Sequence, residues 1–76
     1  VGILKVVETI AASYDTKIKN SIEGEIYELE NGIRVVISPC ADPKYPNAEY
    51  VTITYPDGDE EAMIVDSKGN TLKQII

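Results

Sequence analysis

The sequence has no histidine, no tryptophan and no phenylalanine, and it has one cysteine, Cys40. Without histidine the Ser-His and Cys-His couples of nucleophilic catalysis are excluded, and so are most zinc sites, which one thiol cannot complete. A lone cysteine also rules out an internal disulfide. Secreted domains this small commonly carry several cysteines, so a reducing compartment and a cytoplasmic protein are expected. No run approaches the ~20 apolar residues of a membrane helix, and the first residues lack the basic, apolar and small-residue order of a signal peptide. Basic side chains are scarce: seven Lys and Arg stand against thirteen Asp and Glu, a net charge of −6. Direct nucleic-acid binding is therefore disfavoured, because phosphate contacts need cations. Tyr45, Tyr50 and Tyr55 lie close together with no Lys/Arg cluster to make them a base-stacking platform, and no Gly-rich phosphate loop is present.

What is present is enough for one domain. The 76 residues are 43% hydrophobic and 26% charged, which argues for a globular chain and against disorder. A chain of this length buries roughly 60% of its unfolded surface. Its charge is uneven: through Asn20 three lysines face two carboxylates, a net of +1, which leaves −7 for the remainder. The acidity belongs to the part expected to form a sheet.

The stretch Glu25 to Ser38 places Asn31-Gly32 between two β-favouring runs, the signature of a two-residue type I′ hairpin. Alternation then assigns Tyr27, Leu29, Ile33, Val35 and Ile37 to the core and turns Ile26 and Val36 away. Upstream, Ile3, Leu4, Val6, Val7, Ile10, Ala11, Tyr14 and Ile18 fall on one side at 100° per residue, which predicts an amphipathic helix from Ile3 to about Asn20. Its many β-branched residues make a long strand the competing reading. Three prolines between Pro39 and Ala48 predict a surface loop. Glu49 to Tyr55 alternates as a half-buried strand. Pro56-Asp57-Gly58-Asp59 and Ser67-Lys68-Gly69-Asn70 read as turns, separating strands Glu61 to Asp66 and Thr71 to Ile76. The fold class is α+β, one N-terminal helix packed on a four- or five-stranded antiparallel sheet, with a small all-β barrel as the alternative.

Candidate chemistry is thin. Cys40 ends a strand in a loop whose nearest basic residue in sequence is Lys44, so a structural thiol is favoured over a nucleophile. Asp57-Gly58-Asp59-Glu60-Glu61 is too short for a calcium loop and reads as a solvated turn. Glu23, Glu25, Glu28 and Glu30 lack an enclosing cleft for acid-base work and suit edge-strand protection. No catalytic, cofactor-binding or metal-binding residue is assigned.

Ala62-Met63-Ile64-Val65-Asp66-Ser67-Lys68-Gly69, together with the acidity and small size, resembles the closing hairpin of phage uracil-DNA glycosylase inhibitors. Members of that family present carboxylates where the enzyme expects phosphates. The resemblance covers this hairpin, and the earlier half of the chain does not follow the family's order of elements. It implies an alternative function, an acidic inhibitor or nucleic-acid mimic blocking a basic nucleic-acid-binding enzyme.

The favoured reading is a non-catalytic protein acting through a protein partner or as a homodimer, with no role at a membrane. Ile26, Val36, Met63 and Val65 cannot all share a core face with Tyr27, Val35, Ile53 and Ile64, so apolar residues are left for an interface. The expected partner-binding residues are Ile26, Glu28, Glu30, Val36, Asp57, Asp59, Glu60 and Glu61.

Overall fold

A computed structural model describes residues 3–76. Helix α1 spans Ile3–Ser13 and is followed by β1 (Ile18–Ile22), β2 (Ile26–Leu29), β3 (Arg34–Pro39), β4 (Glu49–Thr54), β5 (Glu60–Val65) and β6 (Thr71–Gln74). The strands form one antiparallel meander in chain order, β1 to β6, with the helix on one face. The α+β class holds, with six strands in place of four or five. The sheet is open, with β1 and β6 at its edges, which sets aside the barrel.

The additional strand comes from the expected helix, which stops at Ser13 instead of running to Asn20. Asp15 takes a left-handed conformation (φ 54°). The Thr16 and Asp15 amides donate back to the Ala11 and Ala12 carbonyls at 3.0 and 3.1 Å. This is a Schellman stop, usually made by glycine, and here an aspartate occupies the left-handed position. Ile18 keeps the helical phase of the stripe by coincidence; it belongs to β1, paired with Leu29. Val6, Val7, Ile10 and Ala11 are buried as the stripe requires, and Tyr14 packs against them. Leu4, also expected on the stripe, is 56% exposed. The Ile3 side chain lies outside what is described.

Turn chemistry was displaced by one hairpin. The type I′ turn joins β1 to β2 at Glu23-Gly24, both with positive φ (54° and 71°), closed by the Glu25 amide on the Ile22 carbonyl at 3.2 Å. Asn31-Gly32 instead belongs to a three-residue loop. The Leu29 amide donates to the Ile33 carbonyl at 2.8 Å and the Gly32 amide to the Leu29 carbonyl at 3.1 Å, with only Gly32 left-handed (φ 93°). The same pattern closes Tyr55 to Asp59 and Asp66 to Asn70.

The core lies between the helix and Tyr27, Leu29, Ile33, Val35, Ile37, Val51, Ile53, Met63 and Val65. The assignment on β5 is thus the reverse of the expectation: Met63 and Val65 face the helix, and Ile64 faces away. The three-residue loop after Tyr55 pairs Ile53 with Glu61, which puts Glu61, Met63 and Val65 on the helix side. One residue of register moves every side chain to the other face.

Candidate interaction surface

On the face away from the helix, strand pairing aligns side chains into rows that cross the sheet. The central row runs Ile22, Ile26, Val36, Thr52, Ala62 through successive registered pairs. Ile22 is 41% exposed, Ile26, Val36 and Thr52 are half-buried, and no helix covers them. Towards the Asn31 and Asp57 loops lies the row Asn20, Glu28, Arg34, Thr54, Glu60. Towards the opposite end lies Ser38, Tyr50, Ile64, Lys73.

Of the residues expected to bind a partner, Ile26, Val36, Glu28 and Glu60 share this outer face. Glu28 is not a free carboxylate. It accepts from the Asn20 amide group at 3.2 Å and from the Arg34 guanidinium at 3.3 Å. These two hydrogen bonds, that of Asn20 first, hold its carboxyl below the usual range. Glu30 lies in the loop after β2 and not on a strand face beside Ile26. Asp57 and Asp59 are exposed in the β4–β5 loop, where the Asp57 carboxylate accepts the Asp59 amide at 3.0 Å.

Glu61 stands apart from the others. It lies on the helix side, half-buried, and its carboxylate accepts from the Tyr55 hydroxyl and, at 3.4 Å, from the Tyr14 hydroxyl. Burial, followed by the hydrogen bonds to Glu61 and Tyr14, raises the Tyr55 phenol well above its usual 10.0. Tyr55 and Glu61 are only six residues apart, but the register after Tyr55 and the approach of Tyr14, 41 residues away, assemble the cluster. The sequence signals were Tyr14 on the apolar stripe and Tyr55 in phase with Val51 and Ile53.

The edges are blunted. β1 carries a bulge at Lys19, and β6 a bulge at Leu72 beside Lys73. Bulges and lysines at an edge oppose strand addition. Glu28 on β2 therefore has no edge to protect, since β1 covers that strand, Glu30 lies in the loop after it, and Glu23 and Glu25 belong to the type I′ turn.

Cys40 is half-buried, with its amide on the Ala48 carbonyl at 3.4 Å. Among the described residues no three His, Cys, Asp or Glu side chains gather as a metal site, and no helix is long and apolar enough to cross a membrane. A groove of about 270 Å³ between α1 and β6, lined by Thr9, Ile10, Met63, Thr71 and Gln74 among others, has no charged lining residue. It is smaller than ordinary ligand pockets of about 300–1,000 Å³. No protein-family model matches the chain, and no curated protein or solved structure gives a significant match.

Proposed function

We propose that this protein acts without catalysis, by contact of its outer sheet face with another protein surface. The observation that carries this reading is the row Ile22, Ile26, Val36, which is apolar, aligned across three strands and left uncovered by the helix. Burying such a row supplies affinity, and the carboxylates near it select orientation. Glu28 and Glu60 flank the row itself; Glu30, Asp57 and Asp59 crowd the loops at that end. Glu61, held on the other face, is left out of the contact.

The test compares the wild-type protein with a variant carrying Ile26→Ser and Val36→Ser, immobilised side by side and checked for an unchanged circular dichroism spectrum. Loss of association, with itself or with a retained partner, supports the reading. Association identical in the two proteins overturns it.

The acidic loops favour a second reading, in which the same end of the sheet occupies the nucleic-acid site of a basic enzyme. Glu30, Asp57, Asp59 and Glu60 are exposed there without a cation paired to them among the described residues. Binding of that kind weakens steeply as salt rises. An apolar contact resists salt.

A further inference from the structure

We infer that the occupant of the outer face is a second copy of this chain, stacked face to face about a two-fold axis that runs along the apolar row. This rests on the outer face being the working surface and names what covers it.

The two flanks of the row differ in chemistry. One flank is Glu28, Arg34, Thr54 and Glu60; the other is Ser38, Tyr50 and Lys73 around Ile64, which at 4% exposure is already covered within the monomer. A two-fold axis along the row lays Ile26 and Val36 over the same row of the second copy, and it lays each flank over the opposite flank. The Glu60 carboxylate then comes to the side of the second copy's Lys73, on the neighbouring strand, and the Tyr50 hydroxyl comes to the side where Arg34 and Glu60 stand. A two-fold axis along the strands would instead set Glu28 against Glu60, carboxylate over carboxylate. The pattern is self-complementary about one axis only, as an isologous interface requires.

Edge-to-edge assembly is opposed by the bulges at Lys19 and Leu72, which leaves the face. Six strands spaced by about 4.8 Å and about 17–20 Å long give a face of roughly 400–500 Å² per copy. Two such faces bury about 1,000 Å², the lower limit for a specific interface, so the dimer is weak and reversible. With −6 on each copy, screening of the long-range repulsion strengthens it or leaves it unchanged.

Sedimentation equilibrium of the full chain from micromolar to millimolar concentration, at low and high salt, tests this. A reversible dimer is expected that salt does not weaken. Val36→Asp should leave a monomer with an unchanged circular dichroism spectrum. Glu60→Lys and Lys73→Glu should each weaken the dimer several-fold, and the two together should restore it. Glu60→Lys alone makes each copy less negative than its −6, so general repulsion predicts the opposite sign. Should Val36→Asp fail to fold, amide shifts of the wild-type protein on dilution serve instead: changes confined to the outer face, at Ile22, Ile26, Val36, Tyr50, Glu60 and Lys73, support the proposal, and changes on the helix side overturn it. A monomer at every concentration overturns the dimer while leaving the outer face free to serve another partner. A dimer indifferent to Val36→Asp overturns the dimer geometry, and the reading beneath it falls only if the Ile26→Ser, Val36→Ser variant also keeps every association of the wild-type protein.

Discussion

Tyr14 and Tyr55 meet edge to face, their ring centroids 5.9 Å apart and their hydroxyl oxygens 2.7 Å apart. The contact ties the C-terminal end of the helix to the end of β4, with Glu61 on β5 accepting from both phenols. Edge-to-face pairs of this kind contribute about 0.5–1.5 kcal/mol beyond the area they bury.

The cluster makes stability fall in strong alkali. A phenol whose folded pKa lies above its unfolded value of 10.0 contributes stability that is present below pH 10 and is lost as pH rises from there. Spectrophotometric titration should therefore find Tyr55 un-ionised above pH 10 for as long as the chain is folded. Urea midpoints compared between wild type and Tyr55→Phe should converge as pH rises above 10. A Tyr55 that ionises near its usual 10.0 in the folded chain would show that the cluster is open to water.

The Schellman stop yields a second expectation. Asp15 holds φ 54° at a site where glycine is normal. Asp15→Gly should stabilise the protein by up to about 1 kcal/mol, because the left-handed conformation costs a residue with a Cβ roughly 1–2 kcal/mol, offset in part by the freer unfolded chain. Thermal unfolding measures the sign. A loss of stability would mean that the Asp15 side chain makes a contact that outweighs the strain.

Ile10 and Thr9, adjacent in the helix, should behave oppositely on truncation. Ile10 is 8% exposed in the core, and Ile10→Ala should cost about 2–5 kcal/mol in denaturant unfolding. Thr9 is exposed, donating to the Lys5 carbonyl at 2.9 Å, and Thr9→Ala should be nearly silent. Equal losses would place the helix in a different rotation about its axis.

These cases show where the residues speak and where they do not. Alternation fixed Tyr27, Leu29, Val35, Ile37, Val51 and Ile53 on the core face, because period-two burial is a local property of each strand. The helix stop at Asp15 carried no glycine to mark it, and Ile18 continued the apolar phase into a strand. Asn31-Gly32 suits two hairpin geometries, and the choice between them depends on how the flanking strands pair. That choice propagates: the same loop geometry after Tyr55 decides that Met63, and not Ile64, faces the helix, Ile64 being buried on the opposite side of the sheet. Of the surface, that Ile26 and Val36 both turn away from the helix was legible from alternation, while their direct pairing, and the place of Ile22 and Lys73 beside them, depend on registers the sequence does not show.

The proline-bearing loop between β3 and β4 should be the fastest-exchanging internal segment. Its bonds are local: the Tyr45 amide reaches the Asp42 carbonyl at 3.0 Å, and the Ala48 amide reaches the Tyr45 carbonyl at 3.3 Å. Hydrogen exchange at Ala41 to Asn47 should run far ahead of Val51 to Thr54, which sit in the middle of the ladder. Equal protection would mean that the loop is packed down against the sheet.

Glu28 offers the last expectation, and it bears on what a partner meets at the outer face. Its carboxylate is shared between Asn20 and Arg34, so it presents less free charge than its position suggests. Asn20→Ala and Arg34→Ala should each raise the Glu28 pKa towards its usual 4.5, since the Asn20 hydrogen bond lowers it, and so do the Arg34 hydrogen bond and charge. Both changes should leave stability nearly untouched, as the Arg34 and Glu28 side chains are 56% and 35% exposed and water screens the pair. Carboxyl carbon shifts followed through an acid titration read both effects directly. If Arg34→Ala has the larger effect, the ion pair governs this flank. An arriving partner would then have to break it, whereas a carboxylate held by Asn20 can keep that bond and still face a cation.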